Sequence, residues 1–142
     1  MNASWFQKLT LGIAGIAALG IGIAITAAPV AFYGTYGIAL GDDPSLLSEL
    51  RAPGANLAAL GMIILAGAVY QRMQRLAAFL GVTVFLAYAS GRIVSMALDG
   101  MPASGLVQAT LIELVVGGLC AAVLWRGKSR RASSDPLLGL SG

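Results

Sequence analysis

Two full charges stand inside otherwise apolar blocks of this chain, Arg92 in "SGRIVSMALDGMP" and Glu113 in "ATLIELVVG". A guanidinium and a carboxylate in such surroundings can do one of two things. They can neutralise each other as a structural clasp, or they can form the floor of a polar pocket. Ionisable residues inside apolar spans are functional candidates by default, so both uses stay open. Tyr88, one turn before Arg92, and Thr110, one turn before Glu113, could add hydrogen bonds to either.

Spacing favours an encounter. Met101 and Pro102 mark a turn between the two blocks. Arg92 lies about ten residues before that turn and Glu113 about eleven after it, so on antiparallel helices rising ~1.5 Å per residue they share a depth of roughly 10–15 Å. An unpaired charge there costs about 2.5 kcal/mol or more. The expected answer is a bidentate Arg92–Glu113 pair, since the guanidinium fork matches a carboxylate.

Other chemistry is scarce. The 142 residues contain no histidine, which removes His-dependent triads, bis-histidine haem and His-built metal sites. No catalytic residue, metal site or cofactor is therefore assigned. The single cysteine, Cys120, sits in an apolar run and reads as a buried, inert thiol. Arg51 and Glu49 near one span and Asp99 at the mouth of the hairpin could join Arg92 and Glu113 in a vestibule. Otherwise Glu49 and Asp99 are ordinary solvated loop charges.

The elements that must position these residues are apolar helices. The chain is 58% hydrophobic and 11% charged, against about 25% charged for a typical soluble domain. Its apolar residues come in long blocks, at about 9–28, 53–70, 76–98 and 105–125, near the roughly 20 residues that cross a bilayer. The fold class is all-α, a single four-transmembrane-helix domain over residues 1–126, with a basic tail over 127–142 expected to be disordered. The "RRASS" of that tail reads as a chance match to a phosphorylation motif. The first block resembles a signal peptide only superficially, because Pro29 follows "TAA" at once and the apolar run continues to Leu40. A retained helix, ended or kinked at Pro29, is expected.

Between the first two spans, "GDDPSLLSELRAPG" offers Asp43 as an N-cap and Pro44 at the first helical position. A short outer interfacial helix over residues 44–52 is expected, bent into the second span at Pro53. Lys8, Arg72, Arg75, Arg126, Lys128, Arg130 and Arg131 would lie on one side and Arg51 alone on the other. By the positive-inside rule both termini face the cytoplasm of an inner (plasma) membrane. The net charge of +3 is thus a topology signal, and nucleic acid is not an expected partner.

Small residues recur every fourth position: Ala14, Ala18, Gly22 and Thr26; Ala87, Gly91 and Ser95; Gly117 and Ala121. Such faces let helices approach closely within lipid, either inside the bundle or across a homodimer or larger complex.

"SELRAPGANLAALG" at 48–61, "GRIVSMALDGMP" at 91–102 and "IELVVG" at 112–117 together resemble a bacterial family of small four-span membrane proteins known as domain of unknown function 4345. The resemblance covers about residues 5 to 126. It implies four transmembrane helices and carries over Arg51, Arg92, Asp99, Gly100, Pro102 and Glu113 as family-like polar and turn positions, with no activity attached. Three function classes follow. A structural or accessory membrane protein, or a self-associating one, is favoured. A carrier or binding protein for a small amphiphile or ion at Arg92 and Glu113 is the alternative, although no pair of broken helices marks an inverted-repeat transporter. An intramembrane enzyme would have to use Glu113 as its acid or base and is least favoured.

Overall fold

The structure, a computed structural model, describes residues 5–132, with side-chain surroundings through residue 127. These described residues form five α-helices: α1 Trp5–Ala27, α2 Pro29–Gly34, α3 Pro44–Val69, α4 Gln74–Asp99 and α5 Ser104–Ala132. A short 3-10 turn, Gln71–Met73, joins α3 to α4. Four of these helices are long and apolar enough to cross a membrane. For orientation, the bundle has an Arg72 end and an Asp99 end.

Each boundary has a local cause. Pro29 offers no N–H to continue α1, so that helix stops at Ala27 and the proline opens α2 at its first position. Gly100 stops α4 with φ +97°, a left-handed conformation that a side chain would strain. Asp43 caps α3, its Oδ1 accepting from Ser45 N at 2.6 Å and Leu46 N at 3.2 Å.

The expected interfacial helix is not a separate element. Residues 44–52 are the first turns of α3, which runs through Pro53 without a break. That proline removes one ladder donor, but Pro53 and Glu49, whose carbonyl loses its partner, are both exposed at the helix end. The fourth long helix outlasts its expected apolar span, since residues 127–132 of the anticipated tail continue α5, although the apolar stretch itself ends at Gly127. Residues 133–142, including the two serines that close "RRASS", lie outside the described residues.

The Asp43 cap yields a pH-dependent expectation. Its hydrogen bonds, first from Leu46 and then from Ser45, hold the carboxyl below its ordinary 3.8. A carboxyl lowered by folding contributes stability that is complete above the unfolded value and is lost as pH falls through the folded one. Amide-exchange protection at Ser45 and Leu46 is thus expected to persist down through 3.8 and fade only below it. In Asp43→Ala it should be weak at every pH.

Packing is closest between α1 and α3. A Cβ on Gly15 would meet Leu65 N at 2.5 Å, one on Gly22 would strike Ala58 backbone and Gly54 O at 2.7 Å, and one on Gly61 would reach Leu19 Cα at 2.8 Å. Here the absent side chain allows near backbone contact, the means by which helices associate in lipid. The small-residue face of α1 is thus used inside the bundle, with Ala14, Ala18 and Gly22 buried. The shared core collects toward the Arg72 end: Leu11 and Ala14 from α1, Ile64 from α3, Ala77, Ala78 and Phe85 from α4, and Cys120 and Val123 from α5. Arg126 of α5 stands 4.8 Å over the Phe6 ring of α1 at the same end. Past Ala89, α4 has no buried residue. The Asp99 half of the α4–α5 hairpin is therefore held by fewer apolar contacts.

Candidate functional site

The hairpin brings Arg92 and Glu113 together. Its register is consistent along its length: Gly81 faces Cys120, Leu86 covers Gly117, and Arg92 meets Glu113. Each pair lies nearly equidistant from the turn after Asp99. A Cβ at Gly81 would meet Cys120 Sγ at 2.7 Å, so the glycine makes room for the buried thiol.

The ion pair differs from the expected fork. One nitrogen, Arg92 Nε, donates to both carboxylate oxygens, at 3.1 Å to Oε1 and 3.2 Å to Oε2. Nη1 and Nη2 take no part in that bond. The Arg92 side chain keeps 30% of its surface exposed and that of Glu113 13%. The pair is half-sheltered rather than sealed, so its strength lies between a surface bridge and a buried one.

The neighbours are only partly as anticipated. The Tyr88 hydroxyl lies within electrostatic reach of Tyr33, Glu113 and Arg92, without a hydrogen bond to the pair. Thr110 is buried but turns back on its own helix, donating to Leu106 O at 3.0 Å. A hydroxyl in a helix interior has that carbonyl one turn away as its easiest acceptor.

The two remaining polar candidates are engaged elsewhere. Asp99 accepts from Ser95 Oγ at 2.9 Å, again within α4. Arg51 reaches across to α1, its Nη1 donating to Thr26 O and, at 3.2 Å, to Ala27 O. Among the described residues neither is joined to Arg92 or Glu113 by a hydrogen bond, so the vestibule does not assemble as one network. Arg51 instead caps α1. Helix ends leave carbonyls without donors, the break at Ala28 turns the N–H groups one turn on away from Thr26 and Ala27, and a cation at a helix C-terminus also suits the helix dipole. Sequence reading missed this role, although Pro29 followed by a lone arginine in the next helix was a usable signal.

Arg51 also lines a cleft of about 560 Å³ with Thr26, Pro44, Leu47, Ser48, Ala52 and Ala55. A second feature, an aromatic segment, covers the Asp99 end. Phe32 packs edge-on against Tyr33 and Tyr36, at ring distances of 5.3 and 5.6 Å. A Cβ at Gly105, at the start of α5, would meet the Tyr36 ring at 3.1 Å. With Tyr33 near Tyr88, the stretch from α2 to Tyr36 spans the gap between the α1–α3 pair and the α4–α5 hairpin.

Among the described residues no group of three or more His, Cys, Asp or Glu side chains could hold a metal. No curated protein and no solved structure matches the chain. One family does, over residues 6–124, and those residues take in α3 and α4 whole, all but the first residue of α1, α5 as far as Leu124, the Arg92–Glu113 pair and the Arg51 cap. The chain belongs to that family, described as Domain of unknown function (DUF4345).

Proposed function

We propose that this chain is an integral membrane protein whose role is structural or accessory, and that it associates with a second copy of itself through one face of α4. The observation that carries the reading is the state of its small residues. Gly15, Gly22, Gly61, Gly81 and Gly117 are buried against neighbouring elements, whereas Ala87, Ser90, Gly91, Val94, Ser95 and Leu98 are all exposed along one side of α4. Nothing lies within 4 Å of a Cβ placed on Gly91. Ser90 turns its hydroxyl onto Leu86 O at 2.7 Å, leaving the surface smooth. A small, self-satisfied face on an apolar helix is the surface that packs closely against another helix in lipid. Lysine and arginine placement supports an inner-membrane orientation with both termini in the cytoplasm.

The alternative, an amphiphile or ion carrier at Arg92 and Glu113, has the pair's partial exposure in its favour. The cleft described above, however, opens at Arg51 and not at that pair.

Cross-linking in native membranes tests the proposal. With Cys120 buried, Val94→Cys is expected to form a disulfide-linked dimer on mild oxidation, while Leu119→Cys on α5 is not. Gly91→Leu should abolish the dimer and leave the melting temperature of the monomer nearly unchanged. A wild-type chain that migrates as a monomer in native membranes would sink the reading, as would a dimer indifferent to Gly91→Leu. Capture of a different membrane subunit at Val94→Cys would replace the homodimer by a larger complex.

A further inference from the structure

From the cleft beside Arg51 we infer that this protein binds the phosphate of a membrane phospholipid, with Arg51 and Ser48 on the headgroup and the apolar wall of α3 along an acyl chain. The inference begins from the offset of two helices. α1 ends at Ala27, level with Arg51, while α3 continues beyond that point to Pro44. The α3 face made by Pro44, Leu47, Ser48, Arg51, Ala52 and Ala55 is therefore left uncovered, with Thr26 as the opposite edge.

The composition of that cleft is directional. Leu47, Ala52 and Ala55 supply an apolar surface, and the cation and the Ser48 hydroxyl sit near its middle. Arg51 spends Nη1 on the carbonyls of Thr26 and Ala27. Its Nε and Nη2 remain as a second donor edge, and a guanidinium can use two edges at once because its five N–H groups form a fixed plane. Ser48, one turn earlier on the same face, can add a neutral donor. A phosphodiester has the charge and the acceptor geometry for this pair.

Nearby acids do not cancel the site. Glu49 is two residues from Arg51 and so about 200° round the helix. The Asp43 carboxylate is turned onto Ser45 N and Leu46 N. Asp42 lies in the loop before the cap, beyond the helix end. A lipid is chosen over free phosphate because the lining is mostly apolar and Arg51 stands at the end of an apolar span, where headgroups lie.

Native mass spectrometry of the full chain released from detergent provides the test. The probes are phosphatidylglycerol, a diacylglycerol with the same chains, and inorganic phosphate. Wild type is expected to retain one phosphatidylglycerol in about tenfold preference to diacylglycerol, the factor one charge-assisted hydrogen bond supplies. Arg51→Gln also uncaps α1, so other variants carry the result. Ala55→Phe fills the cleft from an exposed position and should lower retention about tenfold, and Ser48→Ala should lower it about threefold, both without moving the melting temperature. Equal retention of diacylglycerol would overturn phosphate recognition. Full retention by both Ala55→Phe and Ser48→Ala would place the lipid elsewhere. Displacement by inorganic phosphate would show that the site takes the free anion and not the lipid.

Discussion

Glu113→Ala is expected to destabilise the folded protein in detergent by about 2–3 kcal/mol, and Arg92→Ala by a similar amount. Each single change leaves the opposite charge in an apolar span without its partner, which in a fully buried pair costs roughly 3–5 kcal/mol. The lower figure reflects the 30% exposure of Arg92, through which water or headgroups relieve part of the penalty. The double variant removes both charges and should cost about 1–2 kcal/mol less than the sum of the singles. The exchanged pair, Arg92→Glu with Glu113→Arg, should recover part of the loss because the hairpin holds both positions at one depth. Unfolding in detergent, followed by heat or by denaturing surfactant, reads all four. Strictly additive single effects would mean that the 3.1 and 3.2 Å contacts carry no coupling.

A second large effect is expected where α1 crosses α3. Gly22→Ala and Gly61→Ala add one methyl group each, yet the new Cβ would fall on Ala58 and Leu19 backbone, which cannot rotate aside. The helices must separate, and the packing lost along the crossing is expected to cost about 3 kcal/mol, the upper end for overpacking. Gly20→Ala is the internal comparison. Nothing lies within 4 Å of a Cβ at Gly20, so there alanine should be neutral or stabilising by up to about 1 kcal/mol through better helix propensity. Thermal unfolding of the three variants side by side decides it. Similar losses at Gly20 and Gly22 would make the effect one of glycine in lipid generally rather than of this crossing.

Some of this arrangement was legible in the sequence for simple geometric reasons. A hairpin with a short turn forces residues equidistant from it to one depth, so the Arg92–Glu113 encounter followed from counting. Asp43 ahead of Pro44 is a local signal, and the cap lies where it points. Pro29 ends α1 for an equally local reason. What required coordinates is whatever depends on how helices face one another. Ala14–Gly22 and Ala87–Ser95 share one spacing, yet the first packs inside and the second lies outside; rotation about the helix axis decides, and spacing does not encode it. Local cost misled at Pro53, because α3 tolerates a proline where the freed carbonyl is exposed. The fork expected of Arg92 became a single-nitrogen contact, since the orientation of a long side chain is set by neighbours the sequence does not place. Sequence position alone groups Arg51 with an outer vestibule, whereas its acceptors on α1 are 24 and 25 residues away.

That capping contact has a consequence for the order of assembly. When α1 first enters the bilayer its closing carbonyls have no donor from the chain, and the donor that serves them arrives only with the third helix. Until Arg51 reaches them, the Thr26 and Ala27 carbonyls rely on the water and headgroups at the end of the span. Docking of α3 exchanges those donors for one side chain, so the closing turn of α1 is completed within the protein only once the two helices have met.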